Sequence, residues 1–283
     1  MARNKKNSVG LMQGRLTASK GRGIQFFPFE NWKNEFESTR NIGFDEIEFI
    51  FDEEKYIDNP LWTKKGLNEI NAITRSSDIK VKSICADYFM RKPLFGSNIK
   101  IVEKSVNILK KLILAARSVN ANLIEIPLVD NSSLKSDLDM EIFMESILDC
   151  VAQAKKFNVV MGLETDLPPK KFLGLLRKID SPQVMANYDT GNSASMGYNP
   201  EEEISLLKDY ICNTHIKDRE YKGGTVPLGE GDTDFDRVFK SLRKINYKQG
   251  FILQAARGPE GSEFQTVGKQ LKFLNGYINE YLN

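Results

Sequence analysis

Eight times along the chain a short apolar run ends in polar or charged residues and gives way to a segment of helical period. That alternation restricts the fold more than any other feature. The most informative run is 159–163 (VVMGL), which is continuous rather than alternating, as expected of a strand covered on both faces. It terminates in Glu164, Thr165 and Asp166. The other strands are expected at 8–12, 46–51 (with Glu48 in its middle), 79–85, 123–126 (carrying Glu125), 184–188, a run ending at His215, and 250–253. Helices are expected near 32–41, 64–76, 139–157 and 170–179, from Pro200, from Phe235, and from the last strand to about Tyr281. The clearest helix follows Lys92: Val102, Val106, Leu109, Ile113 and Ala116 recur at spacings of four and three, which puts them on one face.

Strands alternating with helices throughout imply parallel pairing, with helices covering the sheet. Eight such units in 283 residues match an α/β fold of the closed (β/α)8 TIM barrel type, read as one domain over 1–283. A doubly wound sheet is the alternative, but Gly10, Gly14 and Gly21 lack dinucleotide-binding spacing.

Composition excludes several function classes. No run approaches the roughly 18 apolar residues of a membrane span. The basic start MARNKKNSVG has neither an apolar stretch nor a cleavage site behind it, so no secretory signal is read and a cytoplasmic protein is expected. Cys85, Cys150 and Cys212 are too few and too scattered for a disulfide framework or a cysteine zinc site. A net charge of +2 without a basic stripe gives no nucleic-acid footprint.

In a barrel the C-terminal strand ends meet at one mouth, so residues distant in sequence become neighbours. The last four strands end in Glu164, Asp189, His215 and Gln254, with Glu48, Glu125, Lys217, Asp218, Arg219 and Arg257 around them. Two carboxylates, the chain's one imidazole and an amide oxygen suit Mn²⁺, Mg²⁺, Co²⁺ or Zn²⁺, and the carboxylates neutralise a divalent ion. A buried hydrogen-bonded ring without metal is the other reading. Lys217, Arg219, Arg257 and Arg15 are candidates for an anionic substrate group, and Asn192 and Glu125 for substrate hydroxyls. The glycine-rich loop 223–231 precedes Asp232 and Asp234, both placed to cap the helix of Phe235, Val238, Phe239 and Leu242.

The motifs FDEIEFIFDEE (44–54), SICADYFMRKPLFGS (83–97), DTGN (189–192) and HIKD followed by VPLGEGDTDF resemble the xylose isomerase-like TIM barrels over most of the chain. The likeness is strongest to L-xylulose- or L-ribulose-5-phosphate 3-epimerases. The resemblance implies one divalent metal, Mn²⁺ first among candidates, held by glutamate, aspartate, histidine and a second glutamate on strands five to eight. Those positions are Glu164, Asp189, His215 and Gln254. The two glutamates are the family's catalytic pair, and here the second is glutamine, which still offers an amide oxygen but neither takes nor gives a proton at neutral pH. Glu164 is then the base of a sugar or sugar-phosphate isomerase or epimerase. A second proton transfer would need Asp218, Glu125 or water, and a one-face 1,2-shift survives the substitution more easily. A dehydratase or lyase on a keto-polyol or keto-acid, and a non-catalytic sugar-binding relative, are the alternatives. One histidine argues against an abasic-site nuclease of the endonuclease IV kind. Barrels of this family are often dimers or tetramers, so a homo-oligomer is possible.

Overall fold

The computed structural model describes residues 7–282. The basic start at residues 1–6, part of the segment in which no secretory signal was read, lies outside them. The strands are β1 (Val9–Met12), β2 (Glu46–Ile50), β3 (Ser83–Cys85), β4 (Leu123–Leu128), β5 (Val160–Thr165), β6 (Val184–Asp189), β7 (Ile211–Ile216), β8 (Asp218–Arg219), β9 (Thr225–Val226) and β10 (Phe251–Leu253). The helices are α1 (Trp32–Ile42), α2 (Lys64–Ser77), α3 (Ile99–Ser118), α4 (Asp137–Phe157), α5 (Pro169–Ile179), α6 (Thr190–Ser195), α7 (Pro200–Leu207), α8 (Phe235–Lys244) and α9 (Glu263–Tyr281). Eight strands close a barrel in the order β1-β10-β7-β6-β5-β4-β3-β2, while β8 and β9 form a separate antiparallel hairpin. The (β/α)8 expectation holds.

By internal contacts the chain forms two compact units, one of 1–47, 77–80 and 187–283, the other of 48–76 and 81–186. In the first, parallel pairing sets Gly10 opposite Ile252 on β10 and Ile252 opposite His215 on β7. Gly10 is required there, because a Cβ would lie 2.6 Å from Ile252 Cδ1 and 2.7 Å from Glu46 Cγ. The helix face read from Phe235, Val238, Phe239 and Leu242 is buried, with Phe239 packed on Phe251 and stacked on Tyr277 of α9.

In the second unit β2 through β5 pair in parallel, Cys85 opposite Glu125 and Pro127 opposite Glu164. The spacing on α3 is borne out: Val102, Val106, Leu109, Ile113 and Ala116 are all buried. Phe51, Tyr56, Trp62 and Tyr88 form an aromatic cluster, and Lys111 sits 3.8 Å above the Trp62 ring.

Four local features differ from the sequence expectation. Helix α4 starts at Asp137 rather than Asp139, because Ser136 and Asp139 form a reciprocal capping box. The third strand is shorter than 79–85, with only a single bridge, Glu46 to Lys80, ahead of Ser83. Helix α6 was not expected, since TGNSAS has no apolar period; it starts because Asp189 accepts the Asn192 amide at 2.7 Å. Asp234 caps α8 through the Arg237 amide, whereas Asp232 accepts the Tyr221 amide instead and closes the hairpin loop.

Candidate metal centre

Each of the last four barrel strands delivers one of the expected ligands. Glu164 is the penultimate residue of β5, Asp189 ends β6, His215 is next to last in β7, and Gln254 follows β10 directly. All four are at most 5% exposed. Ligand atoms of Glu164, Asp189 and His215 lie within 4.8 Å of one another. His215 Nδ1 is 4.0 Å from Asp189 Oδ2. The Gln254 amide N–H donates to Ile216 O at 3.0 Å, which fixes its backbone against β7.

Three short interactions brace this corner. Asn213 Nδ2 donates to Asn187 Oδ1 at 2.9 Å, joining β7 to β6 one alternation below the ligands. Thr190 Oγ1 donates to Lys217 O and accepts from Lys217 N–H, at 2.6 and 3.0 Å. The Lys217 ammonium lies 2.8 Å from Asp189 Oδ2. Its side chain crosses Gly191, where a Cβ would be 2.8 Å from Lys217 Cγ, so only glycine lets the lysine reach Asp189.

The donor set fits a hard or borderline divalent cation. Two carboxylates and an imidazole cluster in a buried position, and Gln254 Oε1 is a buried acceptor with no hydrogen-bond partner. An orphaned buried carbonyl oxygen costs on the order of 1–3 kcal/mol. A cation held by Oε1 together with the cluster would remove that penalty.

The other expected residues are distributed as follows. Glu48 on β2 and Glu125 on β4 are fully buried, and both lie near the Cys85 thiol, whose pKa is pushed well up by burial and by these carboxylates. Asp218 accepts three backbone amides, Gly229 and Gly231 at Oδ2 (2.8 and 3.0 Å) and Thr233 at Oδ1 (3.1 Å), and thereby folds the loop over the hairpin. Arg219 donates to Gly223 O through Nε and Nη2 and to Asn192 Oδ1 through Nη1 at 2.9 Å, so Arg219 and Asn192 form one polar unit. Arg15 donates to Ala255 O, Ile24 O and Gln25 Oε1. Arg257 donates to Ile24 O, Thr17 O and Gly14 O. These two guanidiniums hold the carbonyls of the irregular segment between β1 and α1. Glu35 accepts amides of the same segment from Gly14 and Leu16 and the Thr17 hydroxyl, and its burial raises its pKa.

Sequence reasoning missed two residues. Gln25 sits in that segment with no periodicity to mark it, yet its Oε1 accepts from Gln254 Nε2 at 3.1 Å. Glu203, on α7, is buried and accepts from Ser193 of α6. Burial first, opposed by the Ser193 bond and assisted by the Asp189 charge, pushes its pKa up to about 7. Because the folded value lies above the ordinary glutamate value of 4.5, the folded protein binds the extra proton between the two. Stability is therefore expected to fall by about 3 kcal/mol from pH 4.5 to pH 7 and to level off above that. In urea titrations across this range Glu203→Gln should remove that slope; an unchanged slope would assign it to other groups.

Comparison with known proteins places the architecture. A putative L-ribulose-5-phosphate 3-epimerase, SgbU, from Haemophilus influenzae is 28% identical over 237 residues, 79% of this chain and 83% of its own length. The L-ribulose-5-phosphate 3-epimerase UlaE of Escherichia coli is 25% identical over 80% of this chain and 82% of its own. Among solved structures, an L-ribulose 3-epimerase superposes with a TM-score of 0.78 at 16% identity, covering 97% of this chain and 95% of that one. A D-allulose 3-epimerase from Methylomonas sp., in complex with D-allulose, gives 0.73 at 15% identity over 98% and 99%. The family described as "Xylose isomerase-like TIM barrel" matches residues 36–276. With a closed parallel barrel, the strand-end cluster and a match over most of its length, the chain belongs to the xylose isomerase-like TIM barrel family.

Proposed function

We propose that this protein is a divalent-metal-dependent isomerase or epimerase of a sugar or sugar phosphate, folded as one domain over 1–283 and working on the carbon beside a carbonyl. The observation that carries the reading is the buried Glu164, Asp189 and His215 cluster. The relatives named as L-ribulose-5-phosphate 3-epimerases support the substrate class. Glu164, Asp189, His215 and the Gln254 amide oxygen would hold the ion, with Mn²⁺ the first candidate and Mg²⁺, Co²⁺ or Zn²⁺ alternatives. When bound, the ion supplies Lewis acidity that polarises the carbonyl and stabilises the enediolate.

Glu164 removes the proton from the carbon beside the carbonyl; its burial excludes competing water from the carboxylate. Lys217 shares the charge of Asp189 and holds its carboxylate in place. The Asn192–Arg219 pair is proposed to receive substrate hydroxyls or an anionic terminus. Gln254 takes no part in proton transfer. A single-face 1,2-shift therefore needs only Glu164, while inversion at one carbon also needs a donor on the opposite side, for which Glu125 is the buried carboxyl to test.

The first test is Mn²⁺ content after loading and removal of excess. About one ion per chain in the wild type, and none in Glu164→Ala, is expected for one site with two carboxylate ligands. Equal retention by the two proteins would refute the assignment. Ketose phosphates and free ketoses incubated in D₂O then report exchange at the carbon beside the carbonyl, and an unchanged product mass in H₂O separates isomerisation from elimination.

A further inference from the structure

Gln254 replaces a carboxylate, and an amide has two unlike ends. Only its oxygen can serve a cation; its NH₂ would repel one. The orientation of this one side chain therefore decides whether the fourth position contributes a ligand or an obstacle. The surrounding bonds settle it. Nε2 of Gln254 donates to Gln25 Oε1 at 3.1 Å, and Oε1 of Gln254 is buried without a hydrogen-bond partner. Gln25 Oε1 has a second donor, Arg15 Nη2 at 3.4 Å. Arg15 is itself 4% exposed and anchored by Ala255 O at 3.0 Å and Ile24 O at 2.7 Å. Those carbonyls belong to the residues next to Gln254 and next to Gln25, so the arginine clamps the two glutamines from their own backbones.

We infer that Gln25, held by Arg15, is a positioning residue that fixes Gln254 with its amide oxygen toward the cation and its nitrogen away. Two donors meet the two lone pairs of Gln25 Oε1, so that oxygen is saturated. Flipping the Gln254 amide would set oxygen against oxygen at Gln25. On the metal-centre reading it would also present an NH₂ group to the cation. The inference rests on the metal-centre reading above and deepens it, assigning to a residue of the irregular β1–α1 segment the work of making glutamine a usable ligand at a proton-inert position.

The test is calorimetric titration with Mn²⁺ alone, which reads affinity independently of any substrate. Gln25→Leu removes the acceptor and is expected to weaken Mn²⁺ binding roughly 10–100-fold, the usual cost of losing a partner that orients a ligand. Gln25→Glu keeps an acceptor for both Gln254 and Arg15 and is expected to retain wild-type affinity, whereas a merely space-filling role would leave affinity near wild type in Gln25→Leu as well. In a Gln254→Ala background, Gln25→Leu should have no further effect, since nothing remains to be oriented. Wild-type affinity in Gln25→Leu, or an equal loss in the Gln254→Ala background, would overturn the inference. Absence of Mn²⁺ binding in the wild type would instead remove the metal centre, and this inference with it.

Discussion

Replacing Glu164 by glutamine is expected to reduce turnover by about 10³-fold or more, within the range supplied by a positioned general base. Glutamine keeps an oxygen donor at the same place on β5, so Mn²⁺ binding should persist in weakened form while proton abstraction is lost. The discriminating measurement is deuterium exchange from solvent into the ketose. It should cease in Glu164→Gln even where the far-ultraviolet circular dichroism and the melting temperature match the wild type. A variant that exchanges at near wild-type rate would take the base assignment away from Glu164 and leave it a ligand only. The contrast with Glu164→Ala, expected to lose the metal, keeps the two roles of one side chain apart.

The second large effect concerns the hairpin loop. Asp218 is fully buried and its two oxygens accept the amides of Gly229, Gly231 and Thr233. Bonds from a charged acceptor are worth roughly 1.5–3 kcal/mol each but do not add fully, so Asp218→Ala is expected to cost about 4 kcal/mol. In a chain of this size that lowers the melting temperature by roughly 10 °C. Asp218→Asn keeps one acceptor and should fall between. Gly231→Ala should resemble Asp218→Ala in direction, because its Cβ would lie 2.4 Å from Asp218 Oδ1 and 2.8 Å from Arg219 O. An unchanged melting temperature in Asp218→Ala would show that the loop is held by other contacts.

Much of the architecture is legible in the sequence because apolar runs and their polar ends follow simple periods. VVMGL announces a strand buried on both faces and the α3 spacing announces its buried face, as the structure bears out. Strand ends then point to Glu164, Asp189 and His215, which the fold brings together. What was not legible depends on partners that have no local signature. Arg15 and Arg257 read as available cations, but a sequence does not reveal that carbonyls of Thr17, Ile24 and Ala255 will meet them. Gln25 meets Gln254 across 229 positions, from a segment without regular period. The short α6 is invisible to hydrophobic patterning because its start is set by the Asp189 carboxylate rather than by an apolar face.

The segment between β1 and α1 has one further consequence. Irregular loops ordinarily open first, at little cost, because few bonds must break. This one is tied down in both directions: its own Arg15 reaches out to Ala255 O, while Arg257 from beyond β10 and Glu35 on α1 reach in to its carbonyls and amides. Opening it would strip the buried Arg15 and Glu35 and the half-buried Arg257 of their partners together. It is therefore expected to open together with the barrel strands rather than with the surface loops.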